Sequence, residues 1–535
     1  MDRRSFLRRA SALTAAGAAT RLVPGCGNAA PGTPGAIAHL LPTASHDRLL
    51  IKASFAFPLD APPMLAVGRR RITGRPTGTR GRHFAFDLDG LEPDVRYELA
   101  LKLGSESLGE PWELATLPAP DAPRERVRLL AYTCAGGHDF LGYWLTAAVR
   151  RRLLRRGLAF TPDAVIANGD HVYWDLVFGT TAAGMGQRPD AIEAFGAFDR
   201  TASVLGTDNE AVLDAIVAPQ IADVYGDLLR STPVYFLRDD HDYFENDYFF
   251  DATAETPARA SFPPDRFSQD AARATQNLFY PEFLPDPTRP LTLPGAGAPD
   301  RPAGIGESFG TFRFGSLLEL LLYDCKGHLS TNGAAAGLVP ATVERWLTER
   351  TRRSEARHVV HAPSNPPGWT AGKWAEWYPD VLIARNELSI DRPKPGWQNG
   401  WLHQHDRLLD VLAQSQRIPL AMSGDLHDHA LGRIVRSATR DFTGNPVNTV
   451  VTGPLGTGPG GWPSRGIRQT PAMPPLQLTV ETTLAPLEQN GFSLIDVEPE
   501  RIVVRTFVWN AEQDPEEAID TLEPARIDVL EPVRA

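Results

Sequence analysis

One stretch, residues 162–175, constrains the fold more than any other part of the chain. The apolar run Val165–Ala167 has no helical period, begins shortly after a proline and stops at Gly169. This pattern is typical of a buried strand in a sheet that is covered on both faces. The carboxylate of Asp170 therefore lies at a strand end. In open α/β sheets ligands bind outside the carboxyl ends of the strands, so the sequence predicts a binding site there.

Three other strand-like runs end in residues that commonly bind metals. Val127–Cys134 ends in a thiol, Val234–Asp242 ends in carboxylates and an imidazole, and Pro419–His429 ends in two carboxylates and two histidines. An amphipathic run from Phe140 to Arg156 predicts a helix between the first two strands, and thus a parallel βαβ unit. Because parallel strands end at the same edge of a sheet, we expect these residues to form one metal site.

The first residues of the chain predict export. Paired arginines, a phenylalanine and a leucine follow one another within Asp2–Arg9, ahead of a weakly apolar stretch that ends near Pro24. This order is typical of a twin-arginine signal, and a disordered basic terminus is the alternative. We expect a signal and leader over residues 1–34, recognition by the twin-arginine machinery, and a final location in the periplasm, the cell envelope or the medium. Cys26 ends a stretch that resembles a lipobox, apart from its proline, and is a candidate lipid anchor; no later segment predicts a membrane span.

The composition indicates a globular protein with more than one domain. The chain has 535 residues, of which 42% are hydrophobic and 22% are charged, so it can bury large cores. Its net charge of −11 argues against nucleic acid as the main partner, because binding a phosphate backbone requires a positive surface. Apart from Cys26, the cysteines are Cys134 and Cys325, which form either one disulfide or two buried thiols.

Residues 35–120 form short apolar runs between Pro and Gly turns, a pattern that is typical of a small β-sandwich. Within them, Gly90–Leu99 resembles the Leu-x-Pro-x-x-x-Tyr corner of fibronectin type III modules. We therefore predict a fibronectin-III-like sandwich. It is either a rigid spacer, which we favour, or a module that binds a surface or shapes the rim of the active site. A stiff linker at 118–123 precedes a second domain over residues 124–535.

Two long segments of the second domain show little periodicity. Residues 251–302 are dense in Pro, Ala and Asp, and residues 363–401 are rich in Pro and Trp. Long loops inside compact domains are commonly functional, so we predict that both act as lids. The tryptophans of the second segment are either a platform for the organic leaving group of a substrate or ordinary loop packing.

Carboxylates and imidazoles on separate strand ends are what a two-metal hydrolytic site requires. In such sites one carboxylate bridges ions that lie roughly 3.5–4 Å apart. We predict that Asp170 is this bridge and takes part in catalysis. Tyr173 is either a phenolate ligand to a strongly Lewis-acidic ion such as ferric iron or a packing residue. Cys134 is either a thiolate ligand or a buried free thiol.

The histidines of these strand ends are candidates for proton transfer and metal binding. His241, flanked by acids, is suited to protonate a leaving alkoxide or to bind a phosphoryl oxygen. Asp425, His427 and His429 share one strand end, where period-two geometry turns alternate residues the same way. We expect all three to face one pocket, with one of them orienting a ligand rather than binding an ion.

Three sequence blocks resemble the PhoD-like (alkaline phosphatase D) branch of the calcineurin-like metallophosphoesterases. They are Gly169-Asp170-x-x-Tyr173, Asp239-Asp240-His241-Asp242 and Gly424-Asp425-x-His427. Thr133-Cys134 matches the cysteine that, in this branch, replaces the superfamily's first Asp-x-His block. The resemblance implies a twin-arginine signal, a small β-sandwich and a four-layer αββα phosphoesterase domain. It also implies a binuclear or trinuclear centre of iron(III) and calcium, although other divalent ions are compatible. The iron ligands implied are Cys134, Asp170, Tyr173 and His427, and the calcium ligands implied are Asp170, Asp240 and, as a further candidate, Asp425.

The chain departs from the family's pattern at several positions. The acidic block continues to Asn246 without the usual glutamate and paired asparagines, which puts one calcium ligand in question. Lys326 stands where relatives usually carry an arginine, and it lacks the planar fork of that side chain. His361 occupies the place of the superfamily's middle histidine and is predicted as a metal ligand. We predict that Asp239, Lys326, Asn246 and His429 contact the substrate or support the ligands.

The function predicted from these residues is metal-assisted hydrolysis of a phosphate ester. The ions would activate a hydroxide and neutralise charge on the phosphoryl oxygens, while His241 assists the leaving group. We expect small organic phosphate esters as substrates, diesters before monoesters. One alternative is an exported binding or adhesion protein on a degenerate phosphoesterase fold. Another is a purple-acid-phosphatase-like monoesterase, which would carry an Asp-x-His first block that this sequence lacks.

Overall fold

The structure is a computed structural model. It describes residues 36–138, 143–174, 178–181, 184–187, 189–243, 249–250, 259–260, 262–298, 300–465 and 468–533. The predicted export signal, Cys26 and Asn246 lie outside the described residues. Within the described part of the chain, no helix has the length and apolar character that crossing a membrane requires.

The described strands, in chain order, are β1 (Ile37–Ala44), β2 (Leu49–Phe55), β3 (Met64–Val67), β4 (Arg70–Thr73), β5 (Arg75–Pro76), β6 (His83–Leu88), β7 (Arg96–Leu103), β8 (Glu106–Ser107), β9 (Trp112–Ala115), β10 (Val127–Tyr132), β11 (Ala164–Asn168), β12 (Phe178–Thr181), β13 (Gly184–Gln187), β14 (Val234–Leu237), β15 (Phe249–Phe250), β16 (Arg259–Ala260), β17 (Phe309–Phe314), β18 (Leu318–Tyr323), β19 (His358–Pro363), β20 (Val381–Ala384), β21 (Glu387–Ser389), β22 (Leu420–Ser423), β23 (His429–Ser437), β24 (Arg440–Asp441), β25 (Val447–Thr452), β26 (Leu478–Leu487), β27 (Asn490–Glu498), β28 (Arg501–Trp509) and β29 (Arg526–Leu530). The described helices are α1 (Ala147–Leu158), α2 (Pro189–Phe195), α3 (Asp208–Tyr225), α4 (Arg266–Phe279), α5 (Ala341–Arg353) and α6 (Asn399–Ala413).

The N-terminal region is all-β, as predicted. One sheet has the order β1-β2-β6-β5, and the other has the order β4-β3-β7-β8 with β9 beside β7. Apolar side chains from both sheets, such as Ile51, Phe86 and Leu99, are buried in a shared core. The likeness to fibronectin type III modules stays a prediction.

The first large sheet carries the strand with Asp170 at its end. Its order is β14-β11-β10-β27-β28-β29. Strands β10, β11 and β14 run parallel, with Leu129 opposite Ala164 and Val165 opposite Val234. Helix α1 connects β10 to β11; it begins later than predicted because Thr146 caps it, accepting a hydrogen bond from the Val149 backbone N–H. The parallel βαβ arrangement brings the carboxyl ends of these strands to one edge.

The second large sheet has the order β17-β18-β19-β22-β25-β23-β24, with β26 paired to β23. Strands β18, β19, β22 and β25 are parallel neighbours, while β23 runs antiparallel to β25. The segment that begins at Gly424 therefore follows the carboxyl end of β22, just as Asp170 follows the carboxyl end of β11.

The two large sheets pack face to face, with helices on their outer faces. Leu129 and Ile166 of the first sheet share a core with Leu320 and Val360 of the second. On the other face of the first sheet, Val165 packs with side chains of α1, α3 and α4. On the other face of the second sheet, residues of β18 and β19 pack with side chains of α5 and α6. The mixed α/β domain thus has the layer order helix, sheet, sheet, helix.

The predicted lid segments contain more structure than the sequence suggested. Residues 251–302, expected to be irregular, include the whole of α4. Residues 363–401 include the hairpin of β20 and β21. Four of the five tryptophans of this segment are buried and Trp397 is partly buried. Trp374 packs edge to face against Trp401, with ring centroids 5.3 Å apart. Their burial favours loop packing over a platform for a substrate.

Cys134 and Cys325 are both free and buried. The disulfide that the sequence left open is therefore absent from the described residues, and the alternative of two buried thiols holds.

Candidate metal centre

The two large sheets approach each other at the ends of β10, β11 and β22. The Thr133 hydroxyl donates a 2.6 Å hydrogen bond to the Asn168 carbonyl, and it accepts one of 3.3 Å from the Asp425 N–H. A Cβ atom at Gly424 would overlap both the Thr133 side chain and the Asn168 carbonyl. Only glycine permits this close approach, which fixes the strand ends relative to one another.

A thiol, a carboxylate, a phenol and an imidazole meet at this junction. Ligand atoms of Cys134, Asp170 and His427 lie within 4.8 Å of one another. The Cys134 thiol donates to Asp170 Oδ2 at 3.3 Å, and the Tyr173 hydroxyl donates to the same oxygen at 3.1 Å. The Tyr173 hydroxyl also lies 2.9 Å from His427 Nε2. We call Cys134, Asp170, Tyr173 and His427 the thiol half of the site.

An acidic group of side chains adjoins the thiol half. Ligand atoms of Asp239, Asp240 and Asp425 lie within 4.8 Å of one another, and so do those of Asp170, Asp240 and His241. We call Asp239, Asp240 and Asp425 the acidic half of the site. Asp170 belongs to one half and reaches the other through Asp240.

For Asp239 and for each residue of the thiol half, the pKa is shifted in the direction that disfavours the charged form. Burial raises the pKa of Asp170 well above its ordinary value, and nearby carboxylates add to this effect. Burial and the charge of Asp425 raise the pKa of Asp239 in the same way. Burial, together with Asp170, also raises the pKa of the Cys134 thiol and of the Tyr173 phenol. A cation at this position would reverse these shifts, because it favours the deprotonated ligand.

His427 is set up as a neutral ligand. Burial lowers the pKa of its imidazole to about 4, so that the ring is uncharged at neutral pH. Its Nδ1 lies 3.1 Å from the Gly461 carbonyl, which suits Nδ1 as the N–H donor and leaves the lone pair on Nε2. Nε2 is the nitrogen that faces Tyr173.

Whether a cation fits this site can be judged from the hydrogen bonding of the buried carboxylate oxygens. Among the described residues, neither oxygen of Asp239 has a hydrogen-bond partner, and neither does Oδ1 of Asp170. An unsatisfied buried acceptor costs about 1–3 kcal/mol. A bound cation would satisfy these oxygens, and the set of thiol, phenol, imidazole and carboxylate suits a transition metal. The residues of the thiol half therefore fit a metal ion.

The backbone is strained at the same residues. Cys134, Asp170, Asp425 and His427 all have positive φ angles, of 51°, 59°, 72° and 55°. Residues other than glycine adopt this conformation rarely, and such strain concentrates at functional sites. The left-handed turns also explain a wrong prediction. Because Asp425 and His427 are not extended, the period-two alternation that was expected to bring His429 into the pocket breaks down.

Of three further predicted site residues, two lie outside the described clusters and one reaches the acidic half. His361 is in none of the described clusters; its Nδ1 lies 3.1 Å from the Tyr323 hydroxyl and its Nε2 lies 2.8 Å from the Thr351 hydroxyl. His429 begins β23, with its ring against Gly453, and is also outside the clusters. Lys326 does reach the acidic half, with Nζ 4.0 Å from Asp425 Oδ2.

Sequence reasoning missed two residues that position the site. The Asp242 carboxylate accepts hydrogen bonds from the backbone N–H groups of Asp170, His171, Val172 and Asp239, at 2.9–3.1 Å. The Gln220 carbonyl accepts from the N–H groups of Tyr173 and Gly137, at 2.8 and 2.7 Å. Asp242 was visible as part of the acidic block. Gln220 lies inside α3, and its sequence context carries no signal of this contact.

A third missed residue is Lys373. Its ammonium group donates a 2.7 Å hydrogen bond to Asp240 Oδ2 and also contacts the Asp425 carboxylate. Although burial opposes it, the ammonium of Lys373, with His241 and Lys326, holds the pKa of Asp240 well below its usual range. The pKa values of Asp240 and its neighbour Asp239 are therefore shifted in opposite directions.

The fold and the site define a class of protein: a two-sheet α/β protein with a buried set of metal-ligand side chains at the carboxyl ends of its strands. A family profile for PhoD-like phosphatases matches residues 130–506. The chain therefore belongs to the PhoD-like phosphatase family, which confirms the resemblance predicted from the sequence and supports a phosphoester hydrolase.

Comparison with a solved structure of PhoD agrees on the fold. A structure of PhoD aligns with a TM-score of 0.61 and 14% sequence identity, covering 94% of this chain and 92% of that chain. A purple acid phosphatase from yellow lupin (Lupinus luteus) seeds aligns with a TM-score of 0.49 and 11% identity, covering 87% of this chain and 71% of that chain. No curated protein sequence matches the chain. At such identities, the likeness to PhoD shows the fold alone.

Proposed function

We propose that the protein is an exported, metal-dependent phosphoesterase that hydrolyses phosphodiesters and, as a second class, monoesters of small organic molecules. Membership of the PhoD-like phosphatase family supports the reaction type. The observation that carries the metal dependence is one cluster in which Cys134 and Tyr173 contact Asp170, and His427 contacts Tyr173. The net charge of −11 favours small substrates over nucleic acid.

The ligand sets follow from the two halves of the site. Cys134, Asp170, Tyr173 and His427 would hold an ion that we propose to be iron(III), because phenolate and thiolate ligands suit a strongly Lewis-acidic metal. Asp170 and Asp240, with Asp425 as a further candidate, would hold a second ion that we propose to be calcium, since carboxylate oxygens suit a hard cation. When bound, such ions neutralise charge on phosphoryl oxygens and lower the pKa of a coordinated water.

His241 is the residue that we propose as the proton donor to the leaving group. Its side chain is only 6% exposed, and its ring lies 4.3 Å from the Tyr173 ring, centroid to centroid. A ligand nitrogen of His241 lies within 4.8 Å of Asp170 and Asp240. This packing puts the imidazole beside the carboxylates that would hold the ions, which supports the proposed role as general acid.

The β-sandwich is proposed as a rigid support for the catalytic domain. Buried Lys52 of β2 donates to the Asn277 carbonyl at 2.8 Å and pairs with Glu282 at 3.0 Å. Arg82 pairs with Asp214 of α3 at the same boundary. These contacts support the spacer interpretation rather than a freely tethered binding module.

Export and the lipid anchor at Cys26 are proposed from the N-terminal sequence.

The test is to measure metal content and hydrolysis on the same purified protein. Elemental analysis is paired with initial rates on bis(4-nitrophenyl) phosphate and on 4-nitrophenyl phosphate. The proposal predicts bound metal and a faster reaction with the diester. Bound metal without hydrolysis of either ester would favour the non-catalytic binding protein, and hydrolysis by a metal-free protein would refute the metal dependence.

A further inference from the structure

The acidic half of the site already contains a cationic side chain from the chain itself. Lys373 is 6% exposed, and its Nζ lies between Asp240 Oδ2, at 2.7 Å, and the Asp425 carboxylate. These are two of the three carboxylates that form the acidic half. The ammonium group thus takes a position that a second cation would need in order to use the same oxygens.

The placement of Lys373 is built into the fold. The segment that carries it is pinned by Thr370, whose N–H donates to the Met473 carbonyl at 2.8 Å and whose hydroxyl donates to Glu376 at 2.6 Å. On the other side, buried Trp374 packs against Trp401. Because the backbone is already anchored, less conformational entropy is lost when the long Lys373 side chain is held in one position.

The two halves differ in how their charge is balanced. In the part of the chain that the structure describes, no lysine or arginine side chain lies within hydrogen-bond or ion-pair distance of Cys134, Asp170, Tyr173 or His427. In the acidic half, Lys373 contacts two carboxylates and Lys326 lies 4.0 Å from Asp425. A cation that enters the thiol half meets no competing ammonium group, whereas a cation that enters the acidic half must displace one.

We propose that Lys373 competes with the second ion for Asp240 and Asp425, and so makes the acidic half a weak, exchangeable ion site beside a firmly held first ion. This inference rests on the proposed metal-dependent function and specifies how the second ion is regulated. Removing the ammonium group frees two carboxylates for the ion and removes the repulsion between the two cations. The variant Lys373→Met should therefore bind the second ion at least about tenfold more tightly, which corresponds to about 1.4 kcal/mol.

The experiment measures ion binding without reference to activity. Dialysed wild-type protein and Lys373→Met are titrated with Ca²⁺ by calorimetry, and the firmly held ion is counted by elemental analysis. Lys373→Gln repeats the test with a polar side chain in case the methionine variant folds poorly. Lys373→Arg keeps the charge and should bind Ca²⁺ as weakly as the wild type.

Lys52→Met is the matched control. Lys52 is a buried lysine of β2, but its Nζ pairs with Glu282 at 3.0 Å, outside the site. Its variant should leave Ca²⁺ affinity unchanged. Equal or weaker Ca²⁺ binding in both uncharged Lys373 variants would overturn the proposal while leaving the first ion in place. If neither wild type nor variants carry any ion, the proposed metal centre itself fails, and the inference with it.

Discussion

The thiol half and the acidic half of the candidate centre differ in their state without a bound ion. Around Asp170, burial favours the protonated thiol, phenol and carboxyl groups. In the acidic half, Asp240 stays ionised because Lys373 contacts it. In the first half, burial thus opposes the charged forms of the thiol, phenol and carboxyl groups, and a bound cation would favour them. The second half is already partly neutralised by a side chain, so the two halves should respond differently to mutation.

The largest effect should come from the residue that connects the two halves. Asp170→Asn removes a carboxylate near both, so we expect loss of the bound ion and a fall in turnover of at least about 10⁴-fold, because several kcal/mol of charge stabilisation disappear. Elemental analysis and diester hydrolysis measure this. Asp428→Asn is the control: burial also raises the pKa of Asp428, but it lies outside the described clusters. Full activity in Asp170→Asn would refute the assignment of Asp170.

His241 should affect turnover without removing the ion of the thiol half. We expect His241→Asn to slow hydrolysis of an alkyl phosphate ester by about 10²–10³-fold, the usual range for a general acid. The loss should be smaller for a 4-nitrophenyl ester, whose leaving group departs without a proton. Comparing the two esters at constant metal content measures the difference. An equal loss for both esters would contradict the role of His241 as proton donor.

Tyr173 tests the thiol half alone. Tyr173→Phe deletes the hydroxyl that contacts Asp170 and His427, so we expect metal affinity to fall by about 10–100-fold. We also expect loss of any visible absorption band that arises from a metal-bound phenolate. Tyr132→Phe is matched to it, because the buried Tyr132 hydroxyl contacts only the Tyr225 hydroxyl, at 3.1 Å, among the described residues. An unchanged spectrum and affinity in Tyr173→Phe would make Tyr173 a packing residue.

Asp242 tests the backbone scaffold of both halves. In Asp242→Asn, the amide nitrogen would face N–H donors that the carboxylate now accepts. We expect a loss of about 1–3 kcal/mol in the free energy of unfolding, measured with urea, and a moderate loss of metal affinity. Asp441→Asn removes an exposed carboxylate that also accepts a backbone N–H, and it should cost much less. Similar losses for the two variants would show that burial at Asp242 contributes nothing.

The smallest effect is expected at a histidine that lies outside both halves. Burial lowers the pKa of His361 from 6.5 to about 3, so only the unfolded chain takes up its proton as the pH falls below about 6.5. The resulting loss of stability is about 1.4 kcal/mol per pH unit until the folded pKa is approached. His361→Gln should reduce the slope of unfolding free energy against pH between 6 and 4.5 by about this amount, with metal content unchanged. A loss of bound metal in His361→Gln would instead support the prediction that His361 is a metal ligand.

Part of the convergence of the site could be predicted because it follows from topology. Cys134, Asp170 and Asp240 follow parallel strands of the first sheet, which end at one edge. His427 follows β22 of the second sheet, and it joins them because the two sheets pack face to face, which the strand patterns alone do not predict. The family resemblance and the mixed α/β fold are confirmed by the comparisons. The metal-binding and catalytic roles of these residues stay predictions.

The positions of Lys373 and His429 depend on tertiary contacts and turns that the local sequence does not encode. Lys373 comes from an irregular segment, and only the packing of that segment places its ammonium group beside Asp240. His429 was misplaced because the turns at Asp425 and His427 interrupt strand geometry. Helix α4 had a readable signal in Phe267, Ala271, Ala274 and Leu278, which are all buried on one face. Half of these residues are alanine, so the apolar pattern is weak and the surrounding Pro and Asp residues obscured it.

The most direct test of the account is a crystal structure of the purified wild-type protein, with anomalous scattering data collected at the iron absorption edge. The account predicts a strong peak among Cys134 Sγ, the Tyr173 hydroxyl oxygen, His427 Nε2 and an Asp170 carboxylate oxygen. A map without a peak at this position, from protein that hydrolyses phosphate esters at its full rate, would contradict it.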